Sequence, residues 1–91
     1  MDIEVLDAAT VTARTPYPAL VDALRDAFRG GGASPARHHH TVPGDGRDDI
    51  TLLLMPAWNG AGDFGVKLAA IARSNAARGL PTLNGVYVLF D

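Results

Sequence analysis

The sequence predicts an α+β fold in which one main helix packs on a mostly antiparallel sheet, and two observations lead to this prediction. Near the amino terminus, one stretch has apolar residues at helical spacing, and a run of three glycines ends it. After the glycines the pattern changes to extended segments separated by turn-rich connections. We expect one domain, residues 1–91, with no internal repeat or linker.

The main helix is predicted to run from about Pro16 to Arg29. Thr15 before Pro16 is typical of an N-cap followed by proline at the first helical position. The apolar residues at helical spacing are Leu20, Val21, Leu24, Ala27 and Phe28. Gly30–Gly32 should end the helix, because glycine adopts the left-handed conformation without steric cost. Upstream, Ile3–Leu6 alternate weakly and are expected to form an edge strand.

The rest of the chain predicts a sheet of four strands. The segment ARHHHTV is followed by the turn-rich PGDGRDD and then by ITLLLMPA, which is the pattern of a hairpin. Another turn, GAGDFG, leads into a third strand from Val66 to Ala72, and Asn75–Pro81 is expected to be an irregular loop. The fourth strand, Asn84–Phe90, has so many consecutive apolar residues that we expect both faces to be covered.

Composition excludes several classes of protein. The chain has 91 residues, 47% of them apolar, and a formal charge of −2, so its core will be small. Without cysteine it has neither disulfides nor thiolate metal ligands, which favours a reducing cytoplasm. Its longest apolar run, Leu52–Trp58, contains Pro56 and falls far short of the ~20 residues that span a bilayer. The arginines are scattered singly, so no basic stripe predicts nucleic-acid binding.

Lys67 is the first residue that invites a chemical role. Its neighbours Val66, Leu68 and Ile71 predict a mostly buried strand, and an ammonium group there either reaches solvent or meets an anion. Arg37, after Pro35 at the start of a predicted strand, carries a planar guanidinium that can hold a carboxylate with two hydrogen bonds. Taken alone, the sequence favours an edge-strand lysine that reaches solvent at Lys67 and a solvated surface residue at Arg37. Arg47 is a rival to Arg37, but its turn-rich surroundings predict an exposed charge.

The triplet His38-His39-His40 raises the question of a metal site. On a strand, His38 and His40 share one face and His39 lies on the other. Resident metal sites use three or more protein ligands, and no cysteine or obvious carboxylate adds to the pair. We therefore predict a half-exposed strand and no metal site.

The segment Leu52–Asp91 resembles the ornithine cyclodeaminase/mu-crystallin family, NAD(P)-dependent enzymes of amino acids and cyclic imines. The matching motifs are LLLMPAW, the GVK that ends at Lys67, and the pattern N-x-x-x-G-L-P-T from Asn75 to Thr82. One departure precedes Asn75, where the family commonly has phenylalanine and proline and this chain has ARS. Family members are much longer, so the resemblance implies the amino-terminal part of their substrate-binding and dimerisation domain.

The resemblance also implies roles for individual residues. Lys67 and Arg37 match family positions that bind the substrate carboxylate, and Thr82 matches a threonine near the place where substrate and nicotinamide meet. Met55 would border the substrate, although methionine is more often a packing residue. From these matches we expect Arg37 and Lys67 to approach each other across neighbouring strands and to form a recess for an anion.

The sequence contains no G-x-G-x-x-G after a strand, so NAD(P) is expected to bind the parent enzyme outside this piece. No catalytic residue is assigned, because the acidic residues in turns, Asp45, Asp48, Asp49 and Asp63, are expected to be solvated turn formers. The piece alone should therefore be inactive. The family forms its dimer through this domain, so the piece is expected not to be a stable monomer and either to form a homodimer through its sheet or to aggregate. The alternative is a stand-alone, noncatalytic binding or assembly module.

Overall fold

The structure is a computed structural model that describes residues 1–90; Asp91 lies outside the described residues. It divides into two compact units, Met1–Gly31 and Gly32–Asp91. The first is helical and the second contains a five-stranded antiparallel sheet, so the predicted α+β class is confirmed. Neither α-helix is long and apolar enough to cross a membrane.

The helical unit has two helices, α1 (Ala8–Arg14) and α2 (Tyr17–Gly30). The strand expected at Ile3–Leu6 is wrong: this segment is irregular and leads into α1, which the sequence analysis missed. Helix α1 begins because the carboxylate of Asp7 accepts a hydrogen bond from the backbone N–H of Thr10 at 2.8 Å. A local side-chain cap therefore starts a helix that has no clear apolar periodicity.

Helix α2 is the predicted main helix, but its start differs from the prediction. Thr15 is not its N-cap: it ends α1, and its Oγ1 donates to the carbonyl of Val11 at 2.7 Å. Pro16 occupies the N-cap of α2 without a side-chain hydrogen bond, and Pro18 lies in the first turn, where a missing N–H costs nothing. The helix ends at Gly31, whose φ is 76°, as the glycine run predicts.

The sheet unit contains five strands and a 3₁₀-helix. The strands are β1 (Gly32–Ala33), β2 (His38–Val42), β3 (Ile50–Asn59), β4 (Phe64–Ile71) and β5 (Leu83–Phe90). Strand β4 pairs with β3 and β5, whereas β1 and β2 both pair with β3 at successive positions. The hairpin predicted for β2 and β3 is confirmed. The irregular loop predicted at Asn75–Pro81 overlaps the 3₁₀-helix, Arg73–Arg78, which the prediction did not include.

Strands β1 and β2 together form one interrupted edge of the sheet. Ala33 pairs with Trp58 and His38 with Leu54, so the four residues 34–37 lie opposite the three residues 55–57. One extra residue on one strand is a β-bulge, which bends an edge strand and redirects its side chains. Pro56, which has no N–H to donate, lies on β3 opposite this interruption.

Pairing in the sheet assigns each strand residue to one of two faces. We call one the lysine face, which carries His39, Thr41, Thr51, Leu53, Met55, Ala57, Gly65, Lys67, Ala69, Ile71, Leu83, Gly85, Tyr87 and Leu89. The other is the histidine face, which carries His38, His40, Val42, Ile50, Leu52, Leu54, Pro56, Trp58, Phe64, Val66, Leu68, Ala70, Asn84, Val86, Val88 and Phe90. On it, the rings of Phe64 and Phe90 stack with centroids 5.0 Å apart.

Burial in the sheet is slight. Ala69, with 5% of its surface exposed, is the one buried apolar residue among those described. The prediction that β5 has both faces covered is wrong, since all of Leu83–Phe90 is exposed. The reason is position: β5 pairs with β4 alone and is the outer strand on its side of the described sheet.

Candidate anion-binding site

Three strands bring Met55, Lys67 and Tyr87 into one row across the lysine face. Met55 on β3 pairs with Lys67 on β4, and Lys67 pairs with Tyr87 on β5. Directly paired residues of antiparallel strands project their side chains to the same face. The structure thus brings together two of the residues predicted for the substrate site, and it adds Tyr87.

Lys67 lies on an interior strand and is exposed, so its ammonium group reaches solvent, which is one of the two outcomes expected for it. Its neighbours on the lysine face are small. Gly65 and Ala69 lie two positions away along β4, and Gly85 on β5 pairs with Ala69. Low side chains around a long one leave its ammonium group accessible. No described carboxylate forms an ion pair with Lys67. This cation is therefore available to an external anion.

Tyr87 extends from β5 across the face towards β4. A Cβ atom added to Gly65 would lie 2.5 Å from the Tyr87 hydroxyl oxygen and 2.7 and 2.8 Å from two ring carbons. The aromatic ring thus occupies the space that a larger residue at Gly65 would need. This contact supplies a physical reason for glycine at the first position of the GVK motif.

A shallow recess of about 240 Å³ adjoins the Tyr87 ring at the end of the sheet formed by the β3–β4 turn. Its floor includes Ala57 and Gly65, and Leu89 contributes to its wall. At the turn, the Asn59 amide donates to the Asp63 carboxylate at 2.7 Å. The recess is largely apolar and therefore suits a hydrocarbon group better than a charge.

Arg37 is exposed and lies immediately before β2, at the end of the bulge. The pairing of β2 begins at His38 with Leu54, so no register position is defined for Arg37. The prediction that Arg37 and Lys67 lie on neighbouring strands is wrong, because β3 runs between β2 and β4.

Thr82 is not part of this row. It is exposed and precedes β5, and its carbonyl accepts a hydrogen bond from the N–H of Ala72 at 2.7 Å. That bond continues the β4–β5 pairing by one residue and places Thr82 on the opposite face from Lys67. Five residue positions separate Ala72 from Lys67, a distance of about 17 Å along β4.

The loop that the sequence singled out has a structural explanation. The Asn75 amide donates to the carbonyl of Pro81 at 3.0 Å, and the Leu80 N–H donates to the Asn75 carbonyl at 3.0 Å. Gly79 adopts the left-handed conformation, with φ 68° and ψ 19°. The N-x-x-x-G-L-P-T pattern therefore encodes a closed turn that delivers the chain into β5.

The remaining candidates lie where the sequence predicts. His38 and His40 share the histidine face, and His39 pairs with Leu53 on the lysine face. Asp45, Asp48, Asp49 and Asp63 are exposed. Two of these close turns, since the Asp49 carboxylate accepts from the Gly44 N–H at 3.1 Å and that of Asp63 accepts from Asn59.

Sequence reasoning missed Tyr87 because its strand reads as a continuous apolar run. Only the register shows that its ring crosses to Gly65 and faces Lys67. A usable signal was present in the sequence: a polar-tipped aromatic residue and a glycine two residues before it, in a largely apolar strand.

Every strand pair in residues 1–90 is antiparallel, so these residues do not contain the parallel strand, glycine-rich loop and helix that bind a dinucleotide in Rossmann folds. Residues 1–90 present the row of Met55, Lys67 and Tyr87, in which the Lys67 ammonium group is exposed, and an apolar recess beside it.

Comparisons with known proteins show that the chain is similar to part of a longer protein. An uncharacterized protein of Schizosaccharomyces pombe is 30% identical over 91 residues, an alignment that covers 97% of this chain and 28% of the relative. The chain thus spans little more than a quarter of the length of the curated relative it matches. No protein-family model and no solved structure matches the chain.

Proposed function

We propose that this chain binds the carboxylate of an amino acid or cyclic imine, as the substrate-binding and dimerisation segment of an enzyme similar to ornithine cyclodeaminase and mu-crystallin. The observation that carries the proposal is the accessible Lys67 ammonium, which pairs with no carboxylate of residues 1–90 and lies in the row with Met55 and Tyr87. The GVK and GLPT motifs add the resemblance to that family. NAD(P) would bind outside residues 1–90, and the compartment would be the cytoplasm.

Arg37 would complete the carboxylate site from the other side of Met55. An extension of the β2 register by one residue would put its Cα position about 10 Å from that of Lys67, and both side chains are long enough to reach an anion held between them. Lysine contributes a point charge, whereas the guanidinium contributes two parallel N–H donors. A carboxylate held by both is fixed in position and orientation, and Met55 lies beneath it.

The rest of the ligand would lie over the small residues of the lysine face. Tyr87 bounds this area, and the apolar recess over Ala57 and Gly65 lies beyond its ring. A hydrocarbon ring or chain attached to the carboxylate therefore has an apolar surface to cover. Residues of this chain bind and orient; cyclodeamination, imine reduction or amino-acid dehydrogenation would need groups supplied from elsewhere in the parent enzyme.

The test is a titration of the ¹⁵N-labelled chain with L-proline, followed by amide chemical shifts. We expect the largest changes at Met55, Lys67 and Tyr87, because these residues surround the proposed carboxylate position. Replacing Lys67→Gln should weaken binding at least about tenfold, which corresponds to the loss of one charge-assisted hydrogen bond. Lys67→Arg should retain most of the affinity.

A matched pair of arginine variants distinguishes the site from general charge effects. Arg37→Gln should weaken binding, and Arg47→Gln, which removes the same charge from the exposed β2–β3 turn, should not. Equal effects of the two variants would contradict the proposed position of Arg37. No change at Lys67 on addition of L-proline, L-ornithine or pyrroline-2-carboxylate would contradict the site itself.

A second candidate is a noncatalytic assembly module that pairs through β5. The observation in its favour is that β5 is an outer strand whose apolar residues are exposed, among them Leu89 at 70% and Leu83 at 61%. Such an edge offers backbone groups and apolar area to a second strand. A homodimer would be compatible both with the substrate-binding segment and with the assembly module. Light scattering at tens of micromolar should give a dimer mass, and a clean monomer would contradict assembly through β5.

A further inference from the structure

The histidine face carries a pair of imidazoles that the proposed function does not use. His38 and His40 lie two residues apart on β2, at the outer edge of the sheet, and both are exposed. Their ring centroids are 5.9 Å apart and the ring planes are inclined at 47°. No described carboxylate forms an ion pair with either ring. The two rings therefore form an accessible donor pair without an acidic partner.

The spacing of the rings is close to that of two histidines on one metal ion. Zinc–nitrogen bonds of about 2.0 Å and a near-tetrahedral angle put two ring centroids about 5 Å apart. The observed 5.9 Å differs from this by about 1 Å, and exposed side chains can close such a gap by small torsional changes. The strand backbone already fixes both Cβ atoms on the same face.

The surroundings favour an ion that prefers imidazole. Across the strand pair, His38 faces Leu54 and His40 faces Leu52, so the adjacent side chains offer no oxygen ligand. Calcium and magnesium require several oxygen ligands, whereas zinc, nickel and copper bind imidazole nitrogen well. The chemistry of the pair therefore selects divalent transition metals over alkaline-earth ions.

We propose that His38 and His40 chelate a divalent transition-metal ion of the zinc, nickel and copper class, with solvent or a donor from another molecule in the remaining positions. No group of three or more histidine, cysteine, aspartate or glutamate residues gathers around an ion position in residues 1–90. The site is thus open and exchangeable, and it differs from the three- or four-ligand resident sites that the sequence argues against.

His39 provides an internal control for this proposal. It pairs with Leu53 and lies on the lysine face, so a regular strand keeps its ring away from the other two. A flexible run of three histidines would use any of its rings, whereas the strand uses only the first and the third.

The experiment is a calorimetric titration of the full chain, free of any affinity tag, with ZnCl₂, NiCl₂ and CuSO₄ separately. We expect saturable binding at micromolar strength, with copper bound tighter than nickel or zinc. His38→Ala and His40→Ala should each weaken binding at least about tenfold, and His39→Ala should change it by less than about twofold. His38→Asn and His40→Gln, which keep side-chain volume, should repeat the two losses if an alanine variant fails to fold.

The outcomes separate the alternatives. One ion per two chains supports the proposal, since pairs from two copies would then share the ion. Broadening of the His38, His40, Leu52 and Leu54 amide signals by substoichiometric copper also supports it. No binding at millimolar ion would overturn the proposal. Equal losses for all three alanine variants would overturn it as well, because they would show an unstructured histidine run.

Discussion

The two compact units of this chain are stabilised over very different distances in sequence. In residues 1–31 the side-chain hydrogen bonds join residues three or four positions apart in sequence, such as Asp7 with Thr10 and Thr15 with Val11. Its two ion pairs, Arg14–Glu4 and Arg25–Asp22, are well exposed and contribute little. In residues 32–90 the structure depends on pairing between β2, β3, β4 and β5. The candidate sites lie in this second region because only non-local pairing brings together residues from several strands.

The largest expected effect comes from Gly44→Ala, in the β2–β3 connection. A Cβ atom there would overlap the carbonyl oxygens of Arg47 and Asp48, and backbone cannot move aside as a side chain can. We expect a loss of about 3 kcal/mol in the free energy of unfolding. Denaturant unfolding followed by the fluorescence of Trp58, the single tryptophan, measures it.

Gly46→Asn is the control for this variant. Gly46 has φ 69° and open space around its Cβ position, and asparagine tolerates that conformation better than other residues do. The control should cost less than about 1 kcal/mol. Equal losses for the two variants would show that the loop does not hold Gly44 against the two carbonyls.

The next largest loss of stability is expected at Gly65, the glycine of the GVK motif. Gly65→Ala should cost about 1–2 kcal/mol, because its methyl group must displace the Tyr87 ring. In a Tyr87→Ala background the same substitution should cost almost nothing. Four proteins in a thermodynamic cycle measure this coupling. Additive effects would mean that the ring does not lie over Gly65.

A smaller effect is expected in the loop before β5. Asn75→Ala removes the amide that donates to the Pro81 carbonyl and should cost about 1 kcal/mol. Asn75→Asp has the same shape without the donor and should cost about as much. Wild-type stability in the aspartate variant, measured by thermal unfolding, would exclude a role for the donated bond.

The smallest effect belongs to the helical unit and depends on pH. The hydrogen bond from the Thr10 backbone N–H lowers the pKa of Asp7 from its ordinary value of 3.8, and a side-chain hydrogen bond from Thr10 acts in the same direction. The charged form is thus favoured by folding, so its stabilisation of α1 is present at neutral pH. It is lost as pH falls through the lowered folded-state pKa.

The Thr10 amide proton reports this loss directly by nuclear magnetic resonance. Its chemical shift should change on acidification below about pH 4 in the wild type. It should change much less in Asp7→Asn, which keeps an N-cap but does not titrate. A similar change in both proteins would rule out Asp7 as its source.

Much of the fold was predictable because its signals are local. Glycines ended α2, and turn residues separated the strands, so the element types after residue 16 were predicted correctly apart from the short strand β1 and the 3₁₀-helix. Helix α1 was missed because its signal is a single cap, and Thr15 was misassigned because one residue ends α1 immediately before Pro16 begins α2. Both errors arose where a hydrogen bond, and not periodicity, decides the structure.

By itself the sequence determined the α+β class, the approximate strands and the same-face placement of His38 and His40, because side-chain alternation along a strand is a local property. Only the tertiary structure decided that β3 separates Arg37 from Lys67, that Thr82 lies on the other face, and that Tyr87 covers Gly65. The physical reason is register. Pairing between distant segments sets which residues share a row, and a single bulge on the edge strand changes the face of every residue beyond it.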